Sequence, residues 1–248
     1  MRVERGSRSD RLRSPRIGRR LRVVFALACV ALGTLAANAG ESDRTEGGRY
    51  PAHWWQPVPE AEKAWWEILP QAAGPGEVIL SKRNELGLLS NFAATPFDFR
   101  GLRYASLEGL WQSMLYPEGA DDPRAVHPEL TWPHSRAEVR ALVAFEAKAA
   151  GERAEENMRL MGIDWVTFEG ERIRYRGADQ DRHHEIIEAA TRAKIAQNPA
   201  VERVLLATGD LVLRPDHLTE EDAPPAWRYY EIYMKIRSEL LGGGAAGE

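Results

Sequence analysis

The chain has 248 residues, with 33 Lys and Arg against 37 Asp and Glu, a formal net charge of −4, and a single cysteine. One cysteine excludes an internal disulfide and any site built from several thiolates. The charge balance lacks the basic excess that grips a phosphate backbone, so bulk nucleic-acid binding is not expected.

Residues 1–22 are rich in arginine, and residues 23–35 form an apolar run that ends in Ala37-Asn38-Ala39. A basic start, a short apolar stretch and a small-x-small end describe a signal peptide cut after Ala39. The run is shorter than the roughly 20 residues a membrane span needs, so the expectation is an exported chain, periplasmic or secreted, with no span after cleavage. The alternative is a protein anchored through residues 23–39. Arg19-Arg20 fits a twin-arginine signal only loosely. Cys29 ends a lipoprotein-like Ala26-Leu27-Ala28, yet the apolar run continues past it, whereas lipidation normally closes such a run. Cleavage would leave 209 residues without a thiol. Of the basic residues nine arginines lie in the leader, and of the acidic residues two, so 24 basic and 35 acidic residues remain, a net charge of −11. That body suits one domain with an N-terminal extension.

Residues 40–48 read as a linker. Trp54-Trp55 and Trp65-Trp66 follow in an arm with a short helical stretch over residues 60–69. The arm either packs onto the main domain or offers these tryptophans to a partner in the cell envelope or to a stacked ligand. Residues 71–76 are a Gly/Pro break and residues 77–80 a strand. Residues 96–104 read as a hairpin turning at Arg100-Gly101. Ser106 is placed to cap a helix that Pro117 stops. Residues 117–133 are a Pro- and Asp-rich flexible insertion.

Ser135-Arg136-Ala137-Glu138 is a capping box opening a helix towards Ala150, with Gly151 as a break and a second helix over 152–161. Residues 181–197 carry an apolar stripe of Ile186, Ile187, Ala190 and Ile195. Asn198-Pro199 restarts a helix, residues 211–213 read as a short strand, and residues 227–241 as a terminal helix. Residues 242–248 are a disordered tail. The fold class is α+β, mainly α, with a small sheet surrounded by helices. The organisation is leader 1–39, linker and Trp-rich arm 40–76, domain 77–241 and tail 242–248.

Two segments concentrate polar groups that chemistry could use. Ser90-Asn91-Phe92 is a polar bend before an aromatic. Glu108 and Gln112 share one helix face beside Leu107, Leu110, Trp111 and Met114. A carboxyl at the edge of a core has a raised pKa, although a Glu in a first helical turn also simply satisfies the helix dipole. His183-His184-Glu185 invites a metal reading, but adjacent histidines point to different helix faces and no H-E-x-x-H spacing is present. No metal and no cofactor are expected. No G-x-S-x-G elbow supports a serine nucleophile.

The stretch Leu88 to Phe97, followed by Ser106-Leu107-Glu108-Gly109-Leu110-Trp111-Gln112-Ser113, resembles the core of the NADAR (NAD and ADP-ribose) superfamily, with its YbiA-like fold. Further likeness lies in Ser81-Lys82-Arg83, Ala190 to Lys194, Val204 to Gly209, Asp216 to Glu220 and Arg228 to Leu240, so it spans most of residues 78–241. Members of that superfamily are associated with cleaving the N-glycosidic bonds of ribosylated nitrogen bases. The resemblance implies a glycosidase, a hydrolase acting on an ADP-ribose-related or ribosylamine nucleotide. It makes Glu108 catalytic and has Gln112 hold the sugar. Ser90, Asn91 and Phe92 line the pocket, with Arg83 meeting a phosphate and Trp111, His217 and Trp227 contributing to the site. Three departures stand out. Gly109 occupies the position where the family usually has His, and Leu115 the position of a Lys. Residues 222–227 lack the family's Trp-Gly-Asp element, for which Asp210, Asp216, Glu220 or Asp222 would have to substitute. A binding module that has lost the reaction, or a cell-envelope interaction protein, is therefore the alternative.

Overall fold

A computed structural model describes residues 48–243. The expected leader with its cut after Ala39, Cys29, the anchor alternative over 23–39, the linker up to residue 47 and the tail from residue 244 lie outside the described residues.

The arm is bound into the fold by its first tryptophan pair. Trp54 and Trp55 are 1% and 6% exposed. Their indole N–H groups donate to Glu85 at 2.7 Å and to the Glu77 carbonyl at 2.8 Å. Of the four arm tryptophans only Trp65 and Trp66 reach the surface. The helix expected over 60–69 is not formed. One 3-10 turn, Glu60–Glu62, is present. Beyond it the chain is drawn out because Glu67 pairs with His217 in an antiparallel bridge and the Ile68 N–H donates to the Asp216 carbonyl at 2.6 Å. Those cross-chain bonds use backbone groups that a helix would have needed.

Strand β1, Glu77–Ile79, pairs in parallel with β6, Val212–Arg214, near the other end of the chain. Strands β2, Phe97–Phe99, and β3, Leu102–Tyr104, form the expected hairpin. Its turn residues Arg100 and Gly101 have φ of 52° and 73°, the left-handed geometry that two-residue hairpins require. A second hairpin, β4 Val166–Phe168 with β5 Glu171–Ile173, was not anticipated. Three residues per strand span too little of the alternation by which a strand is recognised. Among the described residues the strands make three separate pairs rather than one sheet. The class is α+β, mainly helical.

Helix α1, Leu107–Met114, begins where the Ser106 side chain accepts the Gly109 N–H at 2.9 Å. Helix α2, Arg136–Arg140, carries the expected capping box but ends early. Helix α3, Ala144–Leu160, runs straight through Gly151. The interruption falls at residues 141–143, with Ala144 at φ 50°. Gly151 thus has a packing role rather than a breaking one. Helices α4, Gln180–Gln197, and α5, Pro199–Ala207, lie where the apolar stripe and Pro199 place them. Helix α6, Tyr229–Gly243, follows a 3-10 turn, Pro225–Trp227, and takes in Gly242 and Gly243, which were expected in the tail. Among the described residues no helix is long and apolar enough to cross a membrane.

The 117–133 insertion is pinned, not loose. Arg124 is fully buried. Its guanidinium reaches Asp122 at 2.6 and 2.9 Å, the Met114 and Leu115 carbonyls at 3.2 and 3.0 Å, and Thr167 at 2.6 Å. It joins the loop to the end of α1 and to β4. Replacing Arg124 by Met should strand the buried Asp122 carboxylate and the two carbonyls, at a cost of about 3 kcal/mol. Urea unfolding of the variant against the parent measures this, and an unchanged midpoint would show that the loop is not anchored this way.

Candidate functional site

The bend Ser90-Asn91 and the first turn of α1 meet directly. The Glu108 N–H donates to the Asn91 carbonyl at 3.0 Å. The preceding carbonyl, of Ser90, accepts the ammonium of Lys194 at 2.9 Å, and Lys194 sits fully buried on α4. The Ser90 hydroxyl accepts the Phe92 N–H at 3.2 Å. The bend is therefore gripped from two helices, and its side chains are aimed by backbone bonds. Burial pushes the Lys194 ammonium down to about 7.

Beyond this junction opens a cavity of about 860 Å³, lined by Ser90, Asn91, Phe92, Glu108, Trp111 and Gln112, together with His217 and Trp227. The structure thus brings eight of the nine residues selected from sequence to one hollow. Arg83 is the exception. Its guanidinium forks onto Glu67 at 2.6 and 2.7 Å and onto the Glu62 carbonyl, and it does not line the cavity. Its neighbour Lys82 does. That ammonium lies 2.5 Å from Asp216 and within 5.2 Å of the Phe92 and Trp66 ring centres. The pattern Ser-Lys-Arg marked the right segment, and only the packing distinguished the two cations.

Glu108 is 8% exposed. Burial pushes its carboxyl above the ordinary glutamate value of 4.5, against the opposing effects of the Gln112 hydrogen bond and the charges of Lys148, His217 and Lys82. Gln112 donates to Glu108 at 2.8 Å. The Gln112 amide is seated against α3 at Gly151, where an added Cβ would come within 1.7 Å of its oxygen. Any larger residue at 151 has to displace that amide. Gly109 is constrained in the same way, because a Cβ there would meet the Leu142 carbonyl oxygen at 2.7 Å. The chain around 139–142 fills the place that a side chain at 109 would take. Leu115 is buried in the core.

The aromatic residues form two walls. Phe92 stands edge-on to Phe145 with ring centres 5.1 Å apart, and Phe145 also meets Trp66 at 5.8 Å. On the other side Trp111 packs edge-on against Trp227 at 6.3 Å, and Arg176 lies 4.3 Å over the Trp227 ring. His183 backs Trp111 at 4.8 Å, and burial beside His184 pushes it down to about 4, so it is a neutral wall at pH 7. His184 points elsewhere, to Glu188 at 3.4 Å. Among the described residues no group of three His, Cys, Asp or Glu is placed to hold a metal ion. Trp66 belongs to the arm tryptophans read as one candidate stacking surface, whereas Phe145 and Arg176 escaped the sequence reading because nothing local marks a residue whose role comes from a distant neighbour.

Of the candidate second acids, Asp216 is 1% exposed and shares its carboxylate between Lys82 and His217, the latter at 3.0 Å. Burial works to raise its pKa, but those two partners outweigh burial and hold it below the usual aspartate value. Asp216 is a positioning residue for two side chains that line the cavity. Glu220 lines it directly, while Asp210 is committed to Arg49 and Tyr50, and Asp222 is exposed outside the lining. Among the described residues, four buried polar atoms on lining residues have no hydrogen-bond partner: Asn91 Oδ1, Thr219 Oγ1, Trp227 Nε1 and Tyr229 Oη. Buried polar atoms are normally satisfied, so these four are candidates to meet a ligand.

No protein-family model and no curated protein matches this chain. Among solved structures, the NMR structure of the Escherichia coli protein YbiA aligns with 77% of this chain and 98% of its own, at 17% identity and a TM-score of 0.40.

The raised Glu108 pKa has a consequence for stability. Below pH 4.5 the carboxyl is protonated in both folded and unfolded chains. As pH rises the unfolded chain ionises first, so the folded state loses stability until pH passes the folded value. Glu108→Gln, which keeps the bond from Gln112, removes that loss. The variant should therefore melt above the parent at pH 7 and level with it near pH 4. Equal melting at both pH values would show that burial does not raise the carboxyl's pKa.

Proposed function

We propose that this chain hydrolyses the N-glycosidic bond between a ribose and a nitrogen base. The observation that carries the reading is the buried Glu108 carboxyl, held by Gln112 and set into a hollow with aromatic walls and open hydrogen-bonding atoms. The resemblance of the Ser90-Asn91-Phe92 and Glu108 to Gln112 motifs to the NADAR superfamily supports the same chemistry. That resemblance names ADP-ribose-related and ribosylamine nucleotides as the general class.

Breaking the C1′–N bond sends its electron pair to the base nitrogen and leaves positive charge on the ribose ring. A protonated Glu108 gives its proton to that nitrogen. Water then adds to C1′ and returns a proton to the Glu108 carboxylate, so the residue ends as it began. Gln112 fixes the carboxyl orientation and Asn91 Oδ1 takes a hydrogen bond from ribose or base. The base stacks against Phe92 on one wall or Trp111 and Trp227 on the other. A binding module without turnover is the second reading. It draws on the commitment of Asp216, behind the lining, to Lys82 and His217 and of Glu67 to Arg83, which among the described residues leaves no second buried carboxyl beside the cavity free.

Released base, followed by chromatography, separates the two readings. Turnover by the parent should fall by about 100-fold or more in Glu108→Gln, the usual scale for a lost acid–base group. It should decline on the alkaline side of the raised Glu108 pKa. Gly151→Ala, which displaces the Gln112 amide, should lower turnover while the fold persists. Ligand binding with no released base from the parent would leave the binding module standing instead.

Export remains part of the proposal, on the strength of residues 1–39 alone. Protein recovered from cells should begin at Gly40, read by N-terminal sequencing. A chain that begins at Met1 in the soluble cell fraction would remove export.

A further inference from the structure

We propose that the cavity takes an unphosphorylated N-riboside, a nucleoside, in preference to a nucleotide or a dinucleotide. This rests on the glycosidase reading for the identity of the ribose and departs from the nucleotide class that the resemblance implies.

The argument is one of charge and hydrogen-bond polarity. Four cationic side chains line the hollow, and each already has a carboxylate. Lys82 lies 2.5 Å from Asp216 and Lys63 lies 3.0 Å from Glu60. Lys148 lies 2.9 Å from Glu152, and Arg176 lies 3.9 Å from Glu155. Two further arginines lie beside the lining: Arg83 is forked onto Glu67, and Arg228, next to Trp227, lies 3.5 Å from Glu231. Glu220 adds a carboxylate to the lining that no cation answers among the described residues. The lining therefore carries more carboxyl groups than cations, with no cationic excess to draw a phosphate in, and the excess of acidic over basic residues in the body adds to this.

The open polar atoms point the same way. Asn91 Oδ1 accepts, as does the Glu220 carboxylate, so both match ribose hydroxyls and base N–H groups. The open donors, Trp227 Nε1, Thr219 Oγ1 and Tyr229 Oη, are all neutral. A phosphate, which only accepts, would meet carboxylate rims and find one indole and two hydroxyls, none of them charged. Phosphate sites instead use Arg, Lys or clustered backbone N–H groups.

Matched ligands test this on the Glu108→Gln protein, where binding is read by calorimetry without turnover. Adenosine is compared with its 5′-phosphate and with ADP-ribose, and nicotinamide riboside with its 5′-phosphate and with NAD. In at least one series the nucleoside should bind about tenfold more tightly than its phosphorylated partner, the scale set by one unfavourable charge contact. Glu155→Gln, which frees Arg176, should narrow that gap at least threefold, an effect that mere steric exclusion of phosphate would not give. Tighter binding of the phosphorylated ligand, or no binding of any nucleoside, overturns the proposal. The glycosidase reading stands or falls separately, on base release by the parent protein from whichever ligand binds. A nucleoside that binds and is never cleaved removes the reaction and leaves this specificity in place.

Discussion

The bond from the Glu108 N–H to the Asn91 carbonyl is the join on which the site depends. It fastens the first turn of α1 to a bend that has no regular structure of its own. The Lys194 ammonium holds the neighbouring Ser90 carbonyl from the opposite side. Two adjacent carbonyls are thereby fixed by two helices that are distant in sequence. A bend without such partners would be a mobile surface loop. Held in this way, it presents Asn91 and Phe92 to the same hollow as Glu108 and Gln112. Lys194 is buried to do this, and the fall of its pKa to about 7 measures how unfavourable that burial is for a charge.

Glu108 shows the opposite tension. A carboxyl placed at a helix N-terminus usually gains from the dipole. Here burial dominates and raises the pKa, and among the described residues the hydrogen-bond partner of the carboxyl is the neutral amide of Gln112. A fold selected for stability alone would place an apolar or ion-paired group there. A buried carboxyl beside a large hollow is not something packing requires, and it is what the proposed proton transfer would use. Gly151 supports the same conclusion. It weakens the middle of a long helix, and the space it leaves is filled by the Gln112 amide.

The departures from the resembling motifs acquire physical reasons in the structure. Gly109 is small because the carbonyls of residues 139–142 pass over it. Leu115 faces the core rather than the hollow. Trp227 takes its place on the wall through the 3-10 turn Pro225–Trp227, against Trp111 and beneath Arg176. The N-terminal arm, which sequence separates from the domain, supplies a further wall. Trp66 reaches Phe145 and Lys82, while Trp54 and Trp55 lock the arm's base into the core. Cavity shape in this chain thus draws on residues from its arm, from α3 and from the segment around His217.

Local pattern by itself determined the helical content and most helix starts. Ser106, Ser135 and Pro199 act within a few residues of their own position, and the apolar stripe of Ile186, Ile187, Ala190 and Ile195 repeats with the helical period. Spacing alone left Glu108 open to a helix-dipole role and the Ser90-Asn91 bend open to a structural one; it was the resemblance of the two motifs that singled out Glu108, Gln112, Asn91 and Phe92. Tertiary structure alone decided what depended on distant partners. The drawn-out course of residues 63–69 follows from bonds to residues 216 and 217, and the unbroken α3 from the seat that Gly151 offers Gln112. The loop anchored by Arg124 depends on Thr167, and the choice of Lys82 over Arg83 depends on Asp216 and Glu67. The physical reason is the same in each case. Propensity and periodicity are properties of neighbours along the chain, whereas burial, charge pairing and steric closeness are properties of neighbours in space.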